Sequence, residues 1–121
     1  MAVQVDGGYK TFKVTTAVTI YRLVVLRTDG TIEPVDNVAD IPIGVAQATA
    51  AANEHCTVKL LTAQGTFKIE AAGATVACAE CYMTSLGKID DTDPGSAVKW
   101  VRSLEAATAA ADIIECVPMK L

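Results

Sequence analysis

The sequence predicts an all-β protein, a small sandwich or barrel of about eight to ten short strands. The chain has 121 residues, which corresponds to about one domain. Its residues are 51% hydrophobic but only 5% aromatic, so small and β-branched side chains supply most of the apolar content, as is typical of pleated sheets. Apolar and polar residues alternate within short segments, and turn residues separate these segments at regular intervals. Together these features favour two packed layers of short strands.

Ten segments are predicted to be strands. In chain order they are residues 12–16, 20–27, 31–35, 43–48, 57–61, 66–70, 81–84, 87–90, 98–104 and 113–117. The second segment is the most apolar, so we expect it near the middle of its sheet. Asp29-Gly30 forms the hairpin turn after it. Pro34 in the partner strand lacks a hydrogen-bond donor, which predicts an edge position for that strand.

The alanine-rich residues 104–111 have a helical preference, but about eight residues are too few for a stable helix by themselves. We expect a strand end followed by a turn that contains at most one helical turn. At the other end of the chain, residues 1–12 contain Gly7-Gly8 and lack a strong pattern. We therefore divide the chain into an extended N-terminal arm, residues 1–12, and a single β domain, residues 13–121.

An internal repeat relates the two halves of the chain. A shift of 57 positions aligns Gly30 with Gly87 and Ile32 with Ile89. With one insertion, the same shift lays residues 46–58 over residues 103–116, including their alanine-rich linkers. Each half would then contain the same series of strands and turns, and two similar β-units facing one another would share one core.

Charge and targeting signals exclude several classes of partner. The 10 basic and 14 acidic residues give a net charge of -4, which disfavours a general nucleic-acid-binding protein. No run approaches the roughly 18 apolar residues of a membrane span, and the first residues lack the basic and apolar regions of a signal peptide. We expect a cytosolic protein whose four cysteines remain reduced.

Candidate catalytic and metal-binding residues are few. Cys78 and Cys81 have the spacing of a zinc or redox pair, but a second pair of ligands is missing, and alternate strand residues face opposite sides. A metal site or disulfide is the alternative to two packed thiols. His55, the single histidine, is interpreted as an exposed turn residue, and the acidic residues 90–93 as a solvated loop that lacks the spacing of a calcium site. We predict no enzyme activity, no catalytic residue, no metal and no cofactor.

Seven short phrases, read in order, resemble those of a known family. They are residues 16–20, 23–26, 43–46, 57–60, 64–69, 81–83 and 103–107. Among them are an "IGVA" strand at residues 43–46 and a "LEAA" phrase at residues 104–107. The series is similar to the small head decoration, or capsid cement, proteins of tailed bacteriophages, and it covers residues 15–121. That family places Gly-Asp or Gly-Glu before two of these strands, where this chain has Tyr21-Arg22 and Ala79-Glu80.

The resemblance implies a small β-sandwich or tulip-like barrel that binds the exterior of the phage head as trimers. Its partners would be the major capsid protein and two further copies of itself, with no nucleic acid and no membrane. It would be made in the bacterial cytoplasm and located on the virion, where it would stabilise the joints between capsid subunits. The trimer interface is predicted near Val98, Trp100 and Arg102. The predicted contacts of the arm with the capsid are Val3, Val5, Tyr9 and Phe12.

Two other functions remain open at this stage. One is a different structural β-protein of the virion or tail, such as a tube or fibre module. The other is a β-barrel module that binds a small ligand, against which the few aromatic residues count.

Overall fold

The computed structural model describes residues 8–37, 40–93 and 99–119. Its strands form two five-stranded antiparallel sheets. The first half of the chain contains β1 (Tyr9–Lys13), β2 (Leu23–Leu26), β3 (Ile32–Pro34), β4 (Pro42–Ala46) and β5 (His55–Leu60). The second half contains β6 (Phe67–Glu70), β7 (Glu80–Met83), β8 (Ile89–Asp90), β9 (Lys99–Ser103) and β10 (Ile113–Pro118), with a short 3-10 helix at Ser85–Gly87. The all-β prediction is confirmed, and each of the ten predicted segments contains part of a strand.

The two sheets have the same strand order. The first is β1-β5-β4-β2-β3 and the second is β6-β10-β9-β7-β8, so each strand of the first half has a counterpart in the second. As predicted, the strand that contains Pro34 lies at the edge of its sheet, where a missing N–H leaves no neighbour without a donor. In each half a short parallel bridge joins the two edges of the sheet, at Val14 and Ile32 and at Ala71 and Ile89. Each half is therefore a small, partly closed β-unit.

The internal repeat predicted from the sequence is confirmed in the backbone. The bridge between Val18 and Ala50 recurs between Thr75 and Ala107, at the same shift of 57 positions. β2 and β4 shift register at a bulge, and so do β7 and β9; the extra residue is Ile43 in the first unit and Trp100 in the second.

Two left-handed backbone positions also recur in the repeat. Tyr21 has a φ of 66° and its counterpart Cys78 a φ of 62°. Asn53 and Ala111 form the second pair, offset by one further residue as the predicted insertion requires. The repeat is therefore one of turn geometry as well as of strand order.

The first strand corrects the predicted boundary of the arm. Residues 9–12 were assigned to the arm, but they belong to β1, which pairs with β5 from Tyr9 opposite Lys59 to Lys13 opposite His55. Phe12 is 8% exposed and packs in the core of the first unit. The glycines suggested an early end to regular structure, whereas pairing with β5, distant in sequence, extends the strand to Tyr9. Residues 1–7 lie outside the described part of the chain.

The expected single core is instead two cores, because the units are stacked head to tail rather than face to face. A smaller core lies inside the first unit, around Phe12, Val24 and Val58. A larger core combines the interior of the second unit with the opposite face of the first unit's sheet, which contributes Leu23, Val25, Val35 and Val45. The first unit thus buries both faces of β2.

Backbone contacts fix the junction between the two units. The Glu70 N–H donates to the Tyr21 carbonyl at 2.8 Å, and the Leu86 N–H donates to the Val35 carbonyl at 2.7 Å. Gly87 lies directly against the backbone of Leu23, where a β-carbon would overlap it. The described residues contain no helix long and apolar enough to cross a membrane.

Candidate interaction surfaces

The head-to-tail stack leaves the outer face of the second unit's sheet exposed. Its residues Glu80, Tyr82, Thr92 and Arg102 correspond to the buried Leu23, Val25, Val35 and Val45 of the first unit. We call the surface formed by Glu80, Tyr82, Lys99 and Arg102 the β7–β9 face. Because this copy of the face is polar, a third unit could not bury it as the second unit buries the first.

Charged side chains on the β7–β9 face interact with one another. The Glu80 carboxylate accepts a hydrogen bond from Lys99 Nζ at 3.4 Å, and Arg102 Nη2 lies 3.9 Å from its other oxygen. Lys99 Nζ also lies 5.7 Å from the centre of the Tyr82 ring. The negative charge of Glu80 is the main cause of a raised pKa at Lys99. Half-exposed pairs like these contribute little to stability, so the face is free to exchange these partners for others.

An apolar groove of about 480 Å³ lies where the two units meet. We call it the junction groove. Its lining comes from the segment after β5 and from β9 and the end of β10, and consists of Leu61, Thr62, Ala63, Gly65, Trp100, Val117, Pro118 and Met119.

Trp100 is the largest side chain of the junction groove, and the bulge between β7 and β9 sets its position. The Met119 N–H donates to the Trp100 carbonyl at 3.0 Å, which holds the end of β10 beside it. The indole packs against the larger core. Its Nε1 is buried and has no hydrogen-bond partner.

The junction between the units also contains an ion cluster. Glu70 is 7% exposed. Its carboxylate accepts two hydrogen bonds from Arg22 of the first unit, both at 3.2 Å, and lies 3.2 Å from Lys88 Nζ. Burial by itself would raise the pKa of Glu70, but Arg22 and Lys88 outweigh it and lower that pKa below its ordinary value. This cluster fastens the two units and has a structural role.

The predicted interface residues are separated by the structure. Arg102 is exposed on the β7–β9 face, whereas Trp100 is half-buried in the junction groove; Val98 lies outside the described residues. Of the predicted arm contacts, Val3 and Val5 also lie outside them, and Tyr9 is 45% exposed on β1. The buried side chain of Phe12 belongs to a core, so it cannot serve as the capsid contact predicted for it. The trimer interface itself stays a prediction.

The residues considered for chemistry are dispersed. Cys78 is exposed at a left-handed turn position, whereas Cys81 is buried in the larger core with Cys116. His55 is exposed at the start of β5. Asp91 accepts a hydrogen bond from the Val76 N–H at 3.1 Å, so it secures a neighbouring loop. Within the three described ranges, no three His, Cys, Asp or Glu side chains are grouped as metal ligands would be.

Sequence reasoning did not find the junction groove. Its lining residues follow the ends of strands in both halves of the chain, and they have no common spacing or motif. The bulge at Trp100 was detectable only through the repeat, as the position equivalent to Ile43.

No protein-family profile matches the chain, and no curated protein sequence is similar to it. A solved structure is similar, namely the N base of the head fiber protein gp8.5 of bacteriophage phi29. The match has a TM-score of 0.74 and covers 92% of each chain. The two chains share a fold. At 18% sequence identity, the likeness describes the architecture of both units and not the residues on their surfaces.

Proposed function

We propose that this protein is a structural component of a bacteriophage head, a decoration protein that binds the capsid exterior and stabilises the joints between major capsid proteins. The observation that carries this proposal is the fold shared with a phage head fiber base over 92% of both chains. The family resemblance of the sequence phrases points to the same part of the virion. The two lines of support are independent, since one comes from backbone geometry and the other from residue patterns.

A decoration protein needs surface and stability rather than chemistry. The protein offers two firmly joined units, with a polar face on one side and an apolar groove at their junction. Binding to the assembled capsid, and not to its separated subunits, would oppose subunit separation by mass action. The expected consequence is a capsid that withstands internal pressure better as the concentration of free protein rises.

The direct test is binding to empty, expanded capsids that lack this protein. Capsids are mixed with increasing amounts of protein and sedimented, and the bound protein is measured. We expect saturable binding and a higher temperature of capsid disruption. Failure to bind expanded capsids, under conditions in which the protein is folded by circular dichroism, would contradict the proposal.

The trimer is a separate part of the proposal. We place its contact on the β7–β9 face, around Arg102, because this face is exposed and its charged groups can be re-paired. Sedimentation equilibrium should detect a trimer at tens of micromolar, which Arg102→Glu weakens. Lys68→Glu is the matched control, since Lys68 is an exposed residue of β6 and undergoes the same charge reversal. A monomeric wild-type protein would leave only trimers that form on the capsid surface.

A second candidate function is suggested by the described likeness to a fiber base. The protein would then anchor a fibre on the head instead of sealing subunit joints. Electron cryomicroscopy of virions with and without the protein distinguishes the two functions. Low density spread over the capsid joints indicates decoration, whereas a projecting fibre attached to the domain indicates an anchor.

A further inference from the structure

The junction groove contains an unsatisfied hydrogen-bond donor. Trp100 Nε1 is buried and unpartnered among apolar neighbours that include Leu61 and Val117. A buried donor without an acceptor is costly, and native structures rarely leave one unpaired. The groove is therefore suited to an occupant that carries apolar side chains and at least one carbonyl oxygen, which describes an extended peptide.

The chain reaches the described residues directly beside this groove. The Gly8 carbonyl accepts a hydrogen bond from the Leu60 N–H at 2.8 Å. Gly8 has a φ of 78° and lies against Ala63, a lining residue, so closely that a β-carbon at Gly8 would overlap the Ala63 side chain. A glycine is required there because the chain turns through a left-handed conformation in contact with the groove wall.

The seven preceding residues, 1–7, have the length and the pattern that the groove needs. Fully extended, they span at most about 23–25 Å, which is ample for a groove that begins at Ala63. Val3 and Val5 alternate with Gln4 and Asp6. In an extended segment this alternation directs both valines to one side and both polar residues to the other.

We infer that residues 1–7 occupy the junction groove of their own chain, with Val3 and Val5 against its apolar wall and a backbone carbonyl accepting from Trp100 Nε1. The short connection through Gly8 gives this segment a high effective concentration at the groove, higher than that of a second molecule in dilute solution. The inference concerns the isolated chain and does not rest on the proposed function.

Trp100 is the single tryptophan of the chain, so its fluorescence reports on the groove directly. Deletion of residues 2–7 should shift the emission to the red and increase quenching by acrylamide. Val5→Asp should reproduce part of this shift. Gln4→Asp is the matched control because it adds the same charge at the neighbouring, outward-directed position, and it should leave the emission unchanged. Far-UV circular dichroism of each variant establishes that both sheets remain folded.

A peptide of residues 1–8, added to the deletion variant, should restore the blue-shifted emission in a saturable manner. Emission of the full chain should not change on dilution, because the contact is intramolecular. The inference is overturned if the deletion leaves emission and quenching unaltered. It is also overturned if the blue-shifted emission is lost on dilution, which assigns the groove to a second copy. A shift produced only by deleting residues 120–121 would likewise overturn it.

Discussion

Leu23 and Leu26 belong to the same short strand, but they have opposite environments. Leu23 is 0% exposed and packs in the larger core, across the junction between the units, whereas Leu26 is 41% exposed. Leu23→Ala should therefore reduce the free energy of unfolding by about 2–5 kcal/mol, through lost burial and a residual cavity. Leu26→Ala, the matched control, should change it by about 0.5 kcal/mol or less.

Urea unfolding of both variants at neutral pH measures the difference. Similar midpoints for the two leucine variants would contradict the head-to-tail stacking, since only that arrangement buries one of these residues and leaves the other in solvent.

The four cysteines differ in accessibility, and this predicts their reactivity. Burial raises the pKa of the Cys116 thiol to about 12 and also raises that of Cys81, so neither is ionised near neutral pH. Cys56 is buried as well, whereas Cys78 is exposed. Because the thiolate is the reactive species, Ellman's reagent should modify a single thiol rapidly in the folded protein. The rapid phase should be absent in Cys78→Ser and should include all four thiols of the wild-type protein in denaturant.

At the scale of structural elements, the repeat provides a matched pair of turns. Gly30 and Gly87 occupy equivalent positions with φ values of 84° and 77°. A β-carbon at Gly30 would meet nothing within 4 Å, whereas one at Gly87 would overlap the Leu23 backbone. Gly30→Ala should cost about 1–2 kcal/mol, from the left-handed backbone alone. Gly87→Ala should cost clearly more, because the units must also separate. Equal losses in thermal unfolding would show that the junction is not tightly closed there.

The ion cluster between the units predicts a pH dependence. The pKa of Glu70 is lower in the folded protein than its ordinary value of 4.5, so its contribution to stability is present above that value and is lost as the pH falls through the folded-state pKa. Glu70→Gln removes the charge that pairs Arg22 with Lys88 and should cost about 1–3 kcal/mol at pH 7. Its stability should also fall less steeply than that of the wild-type protein between pH 5 and about pH 3. Parallel pH profiles for the two proteins would contradict this role.

Most elements were predictable because their signals are local. The turn at Asp29-Gly30 and the edge position of Pro34 follow from the backbone chemistry of single residues. The start of β1 was not predictable in this way. Tyr9 is in a strand because Lys59 lies opposite it, and the residues around Tyr9 carry no information about that pairing.

At the scale of the whole molecule, the larger core couples the two units. It contains the interior of the second unit together with Leu23, Val25, Val35 and Val45 of the first. The second unit therefore lacks a complete core without the first, and we expect one cooperative unfolding transition. Trp100 fluorescence, which reports on the second unit, should coincide with circular dichroism of the whole chain. Leu23→Ala should lower both midpoints equally, although it lies in the first unit. Two separate transitions, or a fluorescence midpoint that Leu23→Ala does not move, would show independent units.

The sequence by itself determined the all-β class, the strand segments and the repeat of 57 positions, because alternation and turn residues are properties of neighbouring residues. It also contained an unused signal: residues 23–25 are apolar on both faces, whereas their counterparts 80–82 include a glutamate. That difference marks the face on which the second unit stacks. Only the tertiary structure decided that the stack is head to tail, that Phe12 is buried and that a groove forms beside Trp100. Each of these depends on surfaces from distant parts of the chain meeting, and the free energy of that burial is not encoded in any one segment.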